Sequence, residues 1–353
     1  MKRGARLFVT GIRTAFRTVA HTAKRTAAHT ARRVAVLLLA VLLLLPFLAS
    51  CGGGGERGEK SEIVCTIYPI YDFVLSVVGD RISDYPVRLL ADDGNDPHNF
   101  QPSVSDMKAV SDAAILFCVG GSSDQWTQEL SANGALAVPL LDAVTVCEGD
   151  HEGHGGEERS HSHAGHDHGA YDEHFWLSLS NAREAVAAIL SALTKRFSSD
   201  EAAVAEFKAN AEAYTEALTA LDARYKAALD AESRTFDTLL VADRFPFLYL
   251  TRDYGLGYKA AFPGCSAECD ASFSTVASLV ETLKEKRLPA VLVTETGKRD
   301  LAETILREAG SVEGKILVLH SCQSVTKRER DAGVTYLSIM EQNLSVLCSA
   351  LGA

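Results

Sequence analysis

The stretch SSDEAAVAEFKANAEAYTEALTALDARYKAALDA, residues 198–231, decides which architecture the rest of the chain can adopt. It contains no Gly or Pro and is dominated by Ala, Glu, Lys and Leu, which favour helices. Ser198 and Ser199 offer a capping hydroxyl, and Asp200 and Glu201 place acids in the first turn. A helix of about 30 residues is about 45 Å long, which is too long for one small lobe. We therefore predict a rigid helix that joins two lobes.

Short apolar runs alternate with helical patterns on both sides of this helix. Four runs precede it and are predicted strands: EIVCTIYPI (62–70), YPVRLLA (85–91), AILFCVGG (114–121) and ALAVPLLDA (135–143). Three more follow it: FDTLLVAD (236–243), PAVLVTE (289–295) and KILVLH (315–320). The alternation predicts the α/β class, with two lobes that each hold a mainly parallel sheet flanked by helices. Ligand sites in such folds lie at the carboxyl ends of the strands, here in the cleft between the lobes.

The first part of the chain carries signals of export and anchoring. Nine Lys or Arg and no acidic residue lie within residues 1–33, and an apolar run follows at 34–48. That run is shorter than the roughly 20 residues that a membrane-spanning helix needs, so it fits a secretory signal. Small residues precede Cys51, as in a bacterial lipobox. We predict a signal peptide at 1–50, lipidation of Cys51 and a flexible tether at 51–60; an uncleaved N-terminal anchor is the alternative.

The body that would be exported is strongly acidic. Without the nine basic residues of the leader, 26 of the 35 Lys and Arg remain against 46 Asp and Glu. This charge excludes nucleic acid as a partner, because phosphates would be repelled, and it suits cations. We divide the body into an N-terminal lobe (61–197) with a polar insert at 148–173, a linking helix (198–231) and a C-terminal lobe (232–353).

Seven cysteines of the eight in the chain belong to this body, which is an odd number for an exported protein. Cys265 and Cys269 are close enough in sequence to bridge across a loop, and Cys322 is a rival partner. Cys65 and Cys118 lie in apolar, strand-like runs, so we expect them to be buried. The connectivity cannot be read from the spacing.

The polar insert holds six of the 11 histidines of the chain, interspersed with Gly, Ser, Glu and Asp: His151, His154, His161, His163, His166 and His168. Imidazole is a preferred zinc ligand, and a dense set offers many transient multidentate arrangements. We predict a metal-binding loop of low affinity, since nothing preorganises it. A merely solvated polar loop is the alternative.

Three histidines remain in structured contexts of the body. His98 follows the second predicted strand, His174 lies where the chain leaves the insert, and His320 ends the strand KILVLH. A single histidine is more often structural than a ligand. Three histidines at strand ends and a loop exit, beside a His-rich insert, predict a metal site in the cleft instead.

At these residues the chain resembles the zinc and manganese substrate-binding lipoproteins of ABC importers, over about residues 62–350. DPHNFQPS (96–103) is similar to the motif of the family's first ligand, and DEHFWLSL (172–179) is similar to the second, usually Asp-Pro-His-x-Trp-Leu. The long helix and the His-rich loop also match, and that loop is typical of the zinc branch. The resemblance implies a lipid-anchored, monomeric protein that captures Zn²⁺ between its lobes. It would deliver the ion to an ABC permease and its ATPase.

The resemblance implies His98 and His174 as the first two ligands, but it breaks at the other two. The third ligand of the family is His or Glu, and the matching position here is Ala242, which cannot bind metal. The adjacent Asp243, a water molecule or a histidine of the insert could fill this place. The fourth ligand is usually Asp, and the matching position is His320. Imidazole in place of a carboxylate favours zinc over manganese.

Other functions would use the same predicted ligands. These are a manganese-binding transporter component, an adhesin, an extracellular zinc buffer and a zinc hydrolase. The hydrolase would need an open coordination position at Ala242 and Glu295 as its base. The chain has no HExxH motif, nucleophile elbow or phosphate loop. We therefore predict a zinc-binding protein that is not an enzyme.

Overall fold

A computed structural model describes residues 61–92, 97–127, 136–148, 171–263, 271–311 and 313–353. The predicted signal peptide, the lipidation site Cys51, the tether and the six histidines of the insert lie outside these ranges. In the ranges that are described, no helix is long and apolar enough to cross a membrane.

The N-terminal lobe contains a sheet of four parallel strands in the order β2-β1-β3-β4. Its strands are β1 (Ile63–Cys65), β2 (Val87–Leu89), β3 (Ile115–Cys118) and β4 (Leu136–Pro139). Its helices are α1 (Tyr68–Val78), α2 (Val104–Asp112) and α3 (Leu179–Arg196). All four predicted strands are present. Strand β1 is shorter than predicted, because Pro69 lies in the first turn of α1, where proline is well tolerated.

The linking helix α4 and the C-terminal lobe complete the chain. The second sheet has the order β6-β5-β7-β8 and is also parallel. Its strands are β5 (Thr238–Phe245), β6 (Gly257–Pro263), β7 (Ala290–Val293) and β8 (Lys315–Val318). The helices are α4 (Glu201–Ala228), α5 (Leu248–Asp253), α6 (Phe273–Lys286), α7 (Arg299–Ala309), α8 (Lys327–Asp331) and α9 (Tyr336–Leu351). The predicted α/β fold with two parallel sheets is confirmed.

Helix α4 has 28 residues, which corresponds to about 42 Å. It begins one residue later than predicted from the serine pair, because Asp200 is the cap and its side chain accepts a hydrogen bond from the N–H of Ala203. The helix packs against α1 and α3 in the N-terminal lobe and against α9. Near its carboxyl end, the hydroxyl of Tyr225 donates a hydrogen bond to the carbonyl of Met340 in α9.

One continuous apolar core runs through both lobes. It contains residues of α1, α3 and α4 together with residues of β5, β7 and α9. The rings of Phe73 in α1 and Tyr336 in α9 meet edge to face, with centroids 4.8 Å apart. Such a pair stabilises by about 0.5–1.5 kcal/mol beyond its buried area. The lobes are therefore joined by shared packing as well as by α4.

The described cysteines are free thiols: Cys65, Cys118, Cys147, Cys322 and Cys348. Cys65 and Cys118 are buried, as predicted. Cys322 is fully buried and is a free thiol among the described residues. Cys265 and Cys269 lie outside the described residues, and their pairing stays a prediction.

Asp72 is a buried carboxyl group at the contact between α1 and α9. It accepts hydrogen bonds from the hydroxyls of Tyr68 and Tyr214, each at 3.2 Å, and from the backbone N–H of Tyr336, the first residue of α9. Burial raises the pKa of Asp72 to about 6, although these three donors lower it. Folding therefore favours protonation of Asp72 relative to the unfolded chain.

We expect the Asp72→Asn variant to gain stability relative to the native protein as the pH rises. The folded pKa lies above the unfolded value of about 3.9, so the contribution of Asp72 is present below pH ~4 and lost as the pH passes through 6. The relative gain between pH 4 and 7 should reach about 2 kcal/mol. Urea unfolding across this range measures it, with the exposed Glu341→Gln as control. A difference that stays constant with pH would contradict this explanation.

Candidate metal site

The structure brings together two of the predicted ligands, His98 and His174. His98 lies in a single 3₁₀ turn, Pro97–Asn99, and His174 lies just before another, Phe175–Leu177, that leads into α3. Their Nε2 atoms are 3.3 Å apart and their ring centroids are 5.4 Å apart. His174 is buried, and His98 is partly buried. Two side chains that are distant in sequence thus present their ring nitrogens to each other.

The distance between these two nitrogens suits a tetrahedral zinc ion. Zinc binds imidazole nitrogen at about 2.0–2.1 Å, so two ligands of a tetrahedron have nitrogens about 3.3–3.4 Å apart. The His98–His174 separation of 3.3 Å equals one edge of that tetrahedron. The pair can therefore take up zinc with little rearrangement.

Asp172 sets the orientation and the tautomer of His174. One oxygen of its carboxylate, Oδ1, accepts from the backbone N–H of His174 at 2.8 Å and from Nδ1 of the same residue at 2.9 Å. A carboxylate only accepts, so Nδ1 carries the proton and Nε2 keeps its lone pair. This arrangement of a carboxylate behind a histidine is the usual support of a zinc ligand.

The segment that carries His174 is anchored to the C-terminal lobe. The hydroxyl of Tyr249 donates to the carbonyl of Asp172 at 2.8 Å, and Nε1 of Trp176 donates to the carbonyl of Ser321 at 2.9 Å. The carbonyl of Trp176 in turn accepts from the hydroxyl of Tyr336. The ring of Trp176 meets that of His174 nearly edge on, with centroids 5.3 Å apart. These contacts attach residues 172–176 to the C-terminal lobe.

His320 follows β8, and helix α9 fixes its backbone. Its N–H donates to Oδ1 of Asn343 at 2.9 Å, and Nδ2 of Asn343 donates to its carbonyl at 2.8 Å. Its Nδ1 accepts from the N–H of Cys322 at 2.9 Å, so the neutral ring carries its proton on Nε2. Binding of a metal ion by His320 therefore requires the ring to release this contact. Its role as a ligand stays a prediction.

Glu295, which follows β7, supports the turn that contains His320. Its carboxylate accepts from the N–H of Ser321 at 2.8 Å and from the hydroxyl of Ser321 at 2.6 Å. Cys322 has a φ of 65°, a conformation that residues other than glycine rarely adopt. These bonds give Glu295 a part in shaping the turn.

Strand β5 is irregular where the resemblance places the third ligand. Val241 pairs with Ala260 of β6, whereas Arg244 pairs with Phe262, so β5 contains one extra residue in this stretch. Such a β-bulge bends the strand and re-aims its side chains. The direction of a side chain here therefore cannot be read from the alternation of a regular strand.

The bulge separates the environments of Ala242 and Asp243. Ala242 is buried in the apolar cluster of the C-terminal lobe. Oδ2 of Asp243 accepts from the N–H of Thr294 at 3.0 Å and from its hydroxyl, and Oδ1 accepts from the N–H of Arg244 at 2.8 Å. Asp243 thus joins the end of β5 to the end of β7. Its role as a metal ligand stays a prediction.

The described residues contain no group of three or more His, Cys, Asp or Glu side chains arranged to hold a metal ion. The structure therefore brings His98 and His174 together, but it does not add His320 or Asp243 to them as a third member. The serines of the loop after β3, which donate hydrogen bonds to Glu173 beside His174, were missed in the sequence. Their only signal was the small, polar run GGSSD (120–124) at a strand end.

Two lobes with parallel sheets, joined by a long helix, with two imidazoles paired in loops of the N-terminal lobe, are features of solute-binding proteins. Residues 63–350 match the family model described as zinc-uptake complex component A, periplasmic, and the chain belongs to this family. The predicted resemblance to this family is confirmed, whereas the metal-binding role of the His-rich loop stays a prediction. The family consists of components of zinc uptake and is not a family of enzymes.

Several of the similar proteins are zinc-binding proteins of bacteria. The chain is 32% identical over 324 residues to the zinc-binding lipoprotein AdcA of Streptococcus pneumoniae. The aligned region covers 88% of this chain and 60% of AdcA. The chain is 28% identical over 305 residues to the high-affinity zinc uptake system protein ZnuA of Bacillus subtilis, covering 85% and 90%. The Zn(II)-bound ZnuA-like domain of AdcA superposes with a TM-score of 0.66 at 27% identity, covering 83% of this chain and all of that domain. The chain thus spans about 60% of the length of AdcA.

Proposed function

We propose that this protein is an extracytoplasmic lipoprotein that captures Zn²⁺ between its lobes and delivers it to an ABC permease with its ATPase. The observation that carries the proposal is the pair of Nε2 atoms 3.3 Å apart, with the Asp172 carboxylate behind His174. The zinc-binding relatives AdcA and ZnuA support the same cargo.

In this proposal His98 and His174 are the first two zinc ligands, and His320 and Asp243 complete the set. Closed coordination by protein side chains suits binding rather than catalysis. The histidines of the insert collect zinc at low affinity, and a lipid on Cys51 holds the monomeric protein at the membrane. Zinc is favoured over manganese because the ligands are mainly imidazoles.

Metal content and zinc titration of the full chain with Cys51→Ser test the proposal, with and without residues 151–168. We expect one tightly bound zinc ion that survives deletion of these residues and is lost in His98→Ala. A competing chromophoric chelator reports the affinity, and manganese is titrated in parallel. Zinc binding that disappears with the insert alone would contradict a zinc site between the lobes.

A further inference from the structure

Glu173 is a buried carboxylate whose described hydrogen bonds all come from the loop that follows β3. It is 7% exposed. Oε1 accepts from the N–H of Ser122, from its hydroxyl at 2.6 Å and from the N–H of Ser123 at 3.2 Å. Oε2 accepts from the N–H of Ser123 at 3.3 Å and from its hydroxyl. Two adjacent residues thus supply both their backbone and their side-chain donors to one side chain.

The loop is shaped to receive this carboxylate. A Cβ atom added to Gly121 would lie 2.3 Å from Cδ of Glu173, so only glycine leaves room for the contact. The other side of the loop is held by Asp124, which accepts from the N–H groups of Val119 and Gly120, the latter at 3.0 Å. The loop donates to two buried carboxylates, one from within itself and one from the segment that carries His174.

In the sequence, Glu173 lies between His174, the proposed zinc ligand, and Asp172, whose carboxylate accepts a hydrogen bond from the ring of His174. Burial raises the pKa of Glu173, but the hydroxyls of Ser122 and Ser123 and the nearby imidazole of His98 lower it below its ordinary value. The carboxylate is thus fixed to the loop by the hydrogen bonds from Ser122 and Ser123.

We propose that Glu173 is a positioning residue for zinc capture, which rests on the zinc-binding function proposed above. By clamping the His174 segment to the Ser122–Ser123 loop, it holds His174 at the distance from His98 that one zinc ion requires. Without the clamp, the segment must be ordered when zinc binds, and that cost lowers the affinity. Residues that support metal ligands in this way typically change affinity by about 10–100-fold.

A double-mutant cycle between Glu173 and Gly121 tests the proposal in the full chain with Cys51→Ser. Glu173→Ala should weaken zinc binding by about 10–100-fold. Gly121→Ala should have a similar effect, because its methyl group displaces the carboxylate. In the Glu173→Ala background, Gly121→Ala should cause no further loss of zinc affinity, because the carboxylate with which its methyl group would clash is absent. Glu184→Ala is the control, because Glu184 also accepts from a loop N–H, that of Thr145, but does not contact the serine loop.

Two further readouts separate positioning from a general loss of structure. Cobalt(II) bound in place of zinc gives visible bands whose intensity reports coordination geometry, and these bands should change in Glu173→Ala and not in Glu184→Ala. Glu173→Gln, which keeps the volume, should also weaken zinc binding and leave the thermal unfolding temperature near that of the native protein. Affinity losses that are additive in the cycle, or that track the fraction unfolded, would overturn the proposal.

The experiments distinguish an error in the role of Glu173 from an error in the proposed zinc-binding function. A native protein that binds no zinc between its lobes refutes both. A native protein whose tight zinc is lost in His98→Ala, but whose affinity is unchanged in Glu173→Ala, refutes only the role of Glu173.

Discussion

The His174→Ala variant is expected to bind zinc more than about 100-fold more weakly than the native protein. The loss should exceed the about 10–100-fold that follows removal of a residue behind a ligand, because a ligand itself is removed. His98 would keep its imidazole, but the second nitrogen, which lies 3.3 Å from its Nε2 in the native protein, would be missing. Competition titration against a chelator of known affinity measures the change.

Asp172→Asn provides the matched comparison for this variant. An amide in place of the carboxylate can present its NH₂ group to Nδ1 of His174, which favours the tautomer with the proton on Nε2. We expect a smaller loss, of about 10–100-fold. Equal zinc affinity in the native protein and in His174→Ala would exclude this histidine as a ligand. Equal losses in the two variants would show that the orientation of His174 matters as much as its presence.

The Trp176→Ala variant is expected to lose about 3–5 kcal/mol of unfolding free energy, in the range for large aromatic residues removed from a core. Trp176 is 2% exposed, and its indole N–H donates to the carbonyl of Ser321 in the C-terminal lobe. Its removal leaves a cavity and an unpaired carbonyl where the two lobes meet. Urea unfolding monitored by circular dichroism measures the loss.

Tyr336→Phe is the control for Trp176→Ala, since it removes one hydrogen bond to the carbonyl of Trp176 and keeps the ring. Its cost should be about 1–3 kcal/mol, the usual penalty for an unsatisfied buried acceptor. A cost for Trp176→Ala no greater than that of Tyr336→Phe would show that the indole contributes little packing between the lobes.

The alternation of apolar runs and helices predicted the fold because buried parallel strands must be apolar on both faces. Seven of the eight described strands were predicted in this way, and β6 was missed. Strand β6 pairs only with β5 and lies at the edge of its sheet, so its sequence GYKAAFP is less apolar.

The candidate site was predictable where it depends on side-chain type and not where it depends on backbone shape. His98 and His174 stand in short, specific motifs, and the structure places them together. The clamp on Glu173 depends on backbone N–H groups, which every residue carries and no motif reveals. The bulge in β5 changes the direction of Asp243, and a shift of one residue in register leaves no mark in the sequence.

The apolar core that runs through both lobes also constrains how the protein reaches its final state. Helix α9, residues 336–351, packs on α1 and α4 as well as on β5, β7 and β8. The face of α1 that Tyr336 covers stays open until α9 has arrived. A chain threaded through an export channel from its amino end can therefore close this core only after residue 351 has emerged. If the protein is exported as proposed, transport across the membrane and the last step of folding would therefore be separated in time by the order of the sequence.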